Sequence, residues 1–236
     1  MVTYNIENEI TDNIVLDIRE GKYKNDDKLP SDNELAEKYV VPRIKVRKVY
    51  EKLEQMGYIY SRQGIGRFLS KRSRNIELVL SGNESFSKKL KKLCYNLTTQ
   101  NIFCYRIPYN EYIFKKLNVD KSVPVYKIGR LRIVDNEPLA IHISYISKEL
   151  FPNISTDGKN ITSMFDYYKS NGYIDYTAEK TLIEIAYSTS KERRVLKCKE
   201  LVPLLKLRTN CIDAKSNKVL EYTEIIYRGD KFVYKI

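Results

Sequence analysis

The residues with the clearest capacity for chemistry are cationic and fall at short, regular spacings. Arg43 and Arg47 stand four apart, with Lys45 and Lys48 around them, so on a helix the two arginines share one face. Arg130 and Arg132 stand two apart, which on a strand also puts both on one face. A guanidinium forks onto a phosphate, a carboxylate or the O6 and N7 of guanine, so both pairs ask for anions. Ser85-Phe86-Ser87 leads into Lys88-Lys89-Leu90-Lys91-Lys92, an apparent helix start whose free amides and dipole would hold an anion too. Other chemistry is poorly supplied. The single histidine, His142, excludes a multi-histidine metal site and leaves one candidate for any histidine-dependent triad. Cys94, Cys104, Cys198 and Cys211 form no CxxC pair, so no zinc site, redox motif or cofactor is expected. They are expected as free, mostly buried thiols.

The layout of charge sharpens this. The 236 residues carry a formal net charge of +12. Residues 1–38 hold five basic and ten acidic side chains, whereas residues 39–74 hold ten basic and two acidic. A merely solvated surface mixes its signs. A basic block this compact points to a polyanion, of which nucleic acid is the common one. Hydrophobic residues make up 42%, enough to build a core. No apolar run of about 18 residues occurs and the first ten residues are polar and acidic, so neither a membrane span nor a leader peptide is expected and the location reads as cytoplasmic.

Elements to position the first arginine pair follow from periodicity. Ile6, Ile10, Ile14 and Ile18 form one helical stripe, stopped at Gly21. Ser31 and Glu34 make a capping box for a short second helix that buries Leu35, Ala36 and Tyr39. A third helix opens with Pro42 at its first position, lines its inner face with Val46, Val49, Leu53 and Met56, and closes at Gly57. Tyr58 to Ser61 and Arg67 to Ser70 read as two short strands, joined by the turn Arg62-Gln63-Gly64-Ile65-Gly66. Three helices and a basic, glycine-tipped hairpin describe a winged helix-turn-helix whose third helix enters the major groove.

The ordered set Gly21, Tyr23, Leu29-Pro30-Ser31, Glu34-Leu35-Ala36, Tyr39, Arg43, Val46-Arg47, Leu53, Gly57, Gly64, Gly66 and Phe68 resembles the GntR family of bacterial transcription regulators. By position, Arg43 and Arg47 match that family's recognition-helix arginines and Gly64 its wing tip. Asn33, Pro42 and Lys45 depart from the family's usual Arg, Ser and Thr, which points to a different operator. The candidate DNA-contacting set is Ser31, Asn33, Arg43, Lys45, Arg47, Arg62, Gly64 and Arg67.

The remainder contains an internal repeat. At an offset of 79, Leu117 matches Leu196, Val123-Pro124 matches Val202-Pro203, Lys127 matches Lys206, Ile141 matches Leu220 and Ser144 matches Thr223. Each copy reads as helix, strand, turn, strand, and two copies give an α/β domain around an antiparallel sheet with a crevice between its halves. His142 and Glu221 occupy equivalent positions, and Tyr227 and Arg228 end the last long strand. This half resembles the UTRA effector-sensing domain of the HutC-type branch of the same family, a fold similar to chorismate lyase. The resemblance rests on Ser85-Phe86-Ser87, Pro124-Val125-Tyr126, Arg130-Leu131-Arg132, Glu137-Pro138-Leu139-Ala140, Leu150-Phe151-Pro152, Glu221-Tyr222-Thr223 and Tyr227-Arg228-Gly229-Asp230. It implies a small-molecule pocket in which Ser85, Phe86, Ser87 and Arg130 grip a phosphate while Arg132, Glu221 and Tyr227 hold the rest. His142 stands where many relatives carry Glu.

The expected architecture is therefore α+β: a winged helix-turn-helix over 1–72, a linker over 73–80 and a UTRA-like domain over 81–236. The expected function is a homodimeric, sequence-specific repressor on palindromic or repeated half-sites of double-stranded DNA, released by a small anionic metabolite. A sugar phosphate is the expected ligand. The alternatives are a chorismate-lyase-like enzyme tethered to DNA, disfavoured by one histidine and no acid–base pair, and a DNA-binding protein that senses nothing.

Overall fold

The computed structural model describes residues 5–70, 76–79 and 86–235. Ser85 and the charged connection Lys71 to Asn75 lie outside the described residues.

The first unit is α1 (Ile6–Arg19), α2 (Asp32–Tyr39), α3 (Arg43–Gln55) and a hairpin of β1 (Ile59–Arg62) and β2 (Gly66–Leu69). Ile10, Ile14 and Ile18 of α1 are buried against Val46, Val49, Tyr50 and Leu53 of α3. Burying each such aliphatic side chain is worth roughly 1.5–3 kcal/mol, and one spacing rule supplies all of them. The capping box at α2 is complete: the Glu34 amide donates to Ser31 Oγ at 3.2 Å and the Ser31 amide to Glu34 Oε2 at 2.6 Å. Pro42 is the N-cap of α3 rather than its first helical residue. Its ψ of 141° is extended rather than helical, while its carbonyl already accepts from the Lys45 amide at 2.9 Å, as an N-cap carbonyl does. Between α2 and α3, Val40 sits in the left-handed region at φ 52°, unusual for a β-branched residue.

The second unit starts earlier than expected. Residues 73–80 were read as a linker, yet Ile76–Val79 form β3, which pairs in parallel with β11 (Phe232–Lys235). Ile76 and Leu78 are buried there with Phe232, so this stretch belongs to a core. Next come α4 (Phe86–Lys92), β4 (Leu97–Arg106), α5 (Glu111–Leu117), β5 (Val125–Val134) and β6 (Glu137–Ser147). Short α6 (Ile154–Asp157), α7 (Met164–Ser170) and β7 (Tyr176–Thr177) then lead to β8 (Leu182–Tyr187), α8 (Ser190–Leu196), β9 (Pro203–Asp213) and β10 (Val219–Arg228).

The antiparallel sheet runs β4-β5-β6-β10-β9-β7, with β8 also paired to β9. The repeat is real and larger than its pattern suggested. β4-α5-β5-β6 and β8-α8-β9-β10 are the two copies, each with a strand ahead of its helix. At the same offset of 79, Asn110 and Thr189 cap the two helices, and Asn118 and Lys197 end them at φ 54° and φ 50°. β6 and β10 pair across the pseudo-twofold axis, with Tyr145 opposite Tyr222. Asp135 and Asn136, both at positive φ, close the β5–β6 hairpin with the primed-turn geometry that matches strand twist. One face of the sheet packs on α5 and α8. Residues of the other face line a cavity. Among the described residues no helix is long and apolar enough to cross a membrane.

Candidate DNA-facing surface and effector cavity

Alternation along α3 separates its two jobs. With Val46, Val49, Tyr50 and Leu53 turned inward, Arg43, Arg47 and Lys48 are left exposed, and Lys45 half-buried. Among the described residues Arg43 and Arg47 have no ion-pair partner. Asn33 is exposed on the first turn of α2, and Ser31 is exposed with its hydroxyl committed to the cap. In the hairpin Gly64 stands at φ 73° with open space around it, which suits the tip of a wing approaching a backbone. Arg62 lies over the Phe68 ring at 4.7 Å and donates to Tyr60 Oη at 3.0 Å, and Tyr60 in turn donates to Asp26. Arg67, expected on DNA, points back into the protein. It pairs with Asp32 of α2 and stacks over Tyr50 of α3 at 4.5 Å, so it fastens the hairpin to both helices.

The second site is a cavity of about 190 Å³. Strand alternation builds its floor. Arg130 and Arg132 come from β5, His142 from β6, Glu221, Thr223 and Tyr227 from β10, and Leu207, Thr209 and Cys211 from β9. Phe86, Ser87 and Lys89 of α4 cover one end, and the 163–181 segment, with Phe165, Tyr176 and Thr177, covers the other. Every effector candidate within the described residues thus lines one cavity: Phe86, Ser87, Arg130, Arg132, His142, Glu221 and Tyr227. The rings of Phe86, His142 and Tyr227 pack mutually, with centroids 5.0 to 5.9 Å apart. The Arg132 guanidinium lies 5.8 Å over Phe86.

The electrostatics of this floor are unbalanced. Arg130 and Arg132 are 2% and 4% exposed. Arg130 donates to Ser144 Oγ at 2.6 Å, and Arg132 to Thr99 Oγ1 at 2.6 Å and to the Thr162 carbonyl at 3.1 Å. Those partners are neutral, and neither arginine pairs with a carboxylate among the described residues. Arg228, equally buried, shows the satisfied alternative: it grips both Asp230 oxygens at 3.1 and 2.7 Å and Glu137 at 2.9 Å. Burial, then repulsion from Arg130, depresses Arg132 to about 9. Burial, then both arginines, holds His142 well below the ordinary histidine range, so it is neutral near pH 7. Among the described residues, Arg130 Nε, Arg132 Nε, His142 Nε2, Glu221 Oε2 and Thr223 Oγ1 are buried without a hydrogen-bond partner. Native interiors rarely leave such groups unpaired. Five around one cavity describe a binding site awaiting donors, acceptors and negative charge.

Several cavity residues escaped the sequence reading. The 163–181 segment carries only the single short period of α7, with Met164 and Tyr168 four apart, and nothing that marks it as a cavity wall. Thr209 could have been found, since the offset of 79 makes it the counterpart of Arg130. The thiols also differ from expectation: only Cys211 is buried, and Cys94 is exposed because it sits in the left-handed turn that follows α4.

The two units touch at the C-terminal end of α3. The Leu201 amide donates to the Gln55 carbonyl at 3.0 Å, Lys199 pairs with Glu54 at 3.4 Å, and Val202 packs against Gly57. Residues 199–202 follow α8, and Gly229, next to Arg228, is bonded to Pro203.

Comparison with known proteins places this architecture. Residues 6–69 match the model for bacterial regulatory proteins of the gntR family, and residues 93–233 match the UTRA domain. The chain is 32% identical over 184 residues to the uncharacterized HTH-type transcriptional regulator YurK of Bacillus subtilis, covering 77% of this chain and 74% of YurK. It is 25% identical over 226 residues to the HTH-type transcriptional repressor NagR of the same organism, covering 96% and 91%. PhnF from Mycobacterium smegmatis shares the fold, with a TM-score of 0.62 at 20% identity over 94% of this chain and 96% of that one. The matched gntR family and the two Bacillus relatives are regulators rather than enzymes. The chain belongs to the GntR family of bacterial regulatory proteins, as a DNA-binding transcription regulator that carries a UTRA domain.

Proposed function

We propose that this regulator is a repressor whose hold on its operator is weakened when a small anionic metabolite, a sugar phosphate, fills the UTRA cavity. The observation that carries this reading is the pair of buried arginines facing the cavity with neutral partners only, when Arg228 in the same unit is fully paired. The two buried positive charges share one nearby carboxylate, Glu221, which pairs directly with neither among the described residues, so their burial is costly and a bound anion offsets that cost. Glu221 Oε2, Thr223 Oγ1 and His142 Nε2 supply the complement for hydroxyl groups. Relatives support the repressor reading: NagR, and an Escherichia coli protein named as the probable fructoselysine utilization operon transcriptional repressor, 26% identical over 93% of this chain and 89% of its own length.

In this reading Arg43, Lys45 and Arg47 face the major groove, with Asn33 beside them and Arg62 and Gly64 against the flanking backbone. Two chains act together, one per half-site. The division between the units falls before Ile76. Ligand binding at Tyr227 is coupled to α3 through Arg228, Gly229, Pro203 and the 199–202 contact with Gln55. The test is a mobility shift with DNA from upstream of the protein's own gene, titrated with a panel of phosphorylated sugars. The expected result is release by one of them, lost in Arg130→Ala while DNA binding stays. A panel that neither releases DNA nor raises the melting temperature counts against the reading.

A further inference from the structure

The exposed face of the first two turns of α3 is charged except at Ile44. On a wheel of 3.6 residues per turn, Ile44 falls opposite the buried Val46, Val49, Tyr50 and Leu53. It is 57% exposed. Arg43, Arg47, Lys48 and Glu51 surround it on that face and are all exposed. A scattered surface isoleucine needs no explanation. This one stands among cations that have no carboxylate partner among the described residues, at the second residue of the helix. The N-terminal residues of a recognition helix are the ones that reach base edges. Its side chain has no amide or hydroxyl to donate or accept. Only an apolar feature of the groove rewards it, and the C5 methyl of thymine is the apolar group the major groove displays.

We propose that Ile44 is a specificity-determining residue that packs on a thymine methyl in each half-site, between bases or phosphates held by Arg43 and Arg47. This rests on the reading of α3 as the groove-facing helix. A duplex is the favoured occupant over a second protein chain because the surrounding charge is net positive, three cations to Glu51, and among the described residues none of the three is ion-paired.

The test uses the full chain and the duplex it enriches from a randomised pool. Each thymine is then replaced singly by deoxyuridine, which removes the methyl and nothing else. One thymine per half-site is expected whose replacement weakens binding about four-fold, the value of roughly one buried carbon. Ile44→Ala is expected to bind the unmodified duplex about four-fold more weakly and to be indifferent to that replacement. Its melting temperature should match that of the parent, since Ile44 is exposed. If no replacement matters, if Ile44→Ala keeps the parent's sensitivity, or if the selected half-site lacks thymine while Arg47→Ala still weakens binding, Ile44 does not read a methyl. If Arg43→Ala and Arg47→Ala also leave affinity unchanged, α3 is not the reading helix and the proposal falls with it.

Discussion

The outer face of α3 and the floor of the UTRA cavity both present a pair of arginines, and they differ in nearly everything else. Arg43 and Arg47 are exposed, so their charge is solvated and costs the folded state nothing. Arg130 and Arg132 are almost wholly buried and lean on neutral oxygens. In the proposed function, exposure therefore decides what kind of anion each pair takes. Solvated arginines suit a polyanion whose counter-ions are released on contact, with affinity that falls as salt rises. Buried arginines suit a small anion that sheds its water and is held in one orientation.

Substituting one pair at a time separates the two regimes. The largest effect is expected at Arg130. Arg130→Met should reduce affinity for the releasing ligand at least about a hundred-fold, from loss of a buried charged contact of about 3–5 kcal/mol. It should also raise the melting temperature of the ligand-free protein, because an unpaired buried charge is removed. Calorimetry of binding and of unfolding reads both. A fall in stability would mean that Arg130 is structurally satisfied and that the contrast is wrong. Next, Arg43→Ala and Arg47→Ala should each cost about 1–3 kcal/mol of operator binding and, if the contact is to phosphate, reduce the salt slope by about one. Their melting temperatures should not move. Arg67→Ala should do the reverse and lower stability without changing the salt slope, since its guanidinium is held by Asp32 and Tyr50.

Two smaller effects sharpen the picture. Val40 holds a left-handed backbone at 91% exposure, so Val40→Gly should stabilise the chain by about 1 kcal/mol, measured by denaturant unfolding. His142 is neutral when folded and protonates more readily once unfolded. Because its folded pKa lies below its unfolded one, stability should fall as pH drops through about 6.5, by about 0.7 kcal/mol between pH 7 and 6. Unfolding midpoints at the two pH values should lose that component in His142→Gln.

Much of this was legible in the chain itself, for local reasons. The isoleucine stripe of α1 and the Ser31–Glu34 capping box depend on residues three or four apart, and both formed as read. The repeat offset led to the right sheet. Expected cavity residues converged because alternate strand positions share a face. What stayed hidden depends on distance along the chain. Arg67 turns inward because Asp32, 35 residues earlier, meets it. β3, four residues directly after a charged stretch, is too short to mark itself as a strand until β11 arrives beside it. The 163–181 cover has only the short period of α7, and only the finished sheet tells it where to lie.

The pseudo-twofold axis carries a further consequence. The offset of 79 makes Thr209 the counterpart of Arg130, Cys211 of Arg132 and Glu221 of His142. Duplicated halves kept one scaffold but divided the labour, with cations in one copy and neutral or acidic groups in the other. Under the proposed function, a guest seated astride the axis is thereby read in one direction only. Turned end for end, it would set its negative group against a hydroxyl, a buried thiol and a carboxylate, so the handedness of recognition comes from broken symmetry in side chains rather than from the shape of the backbone.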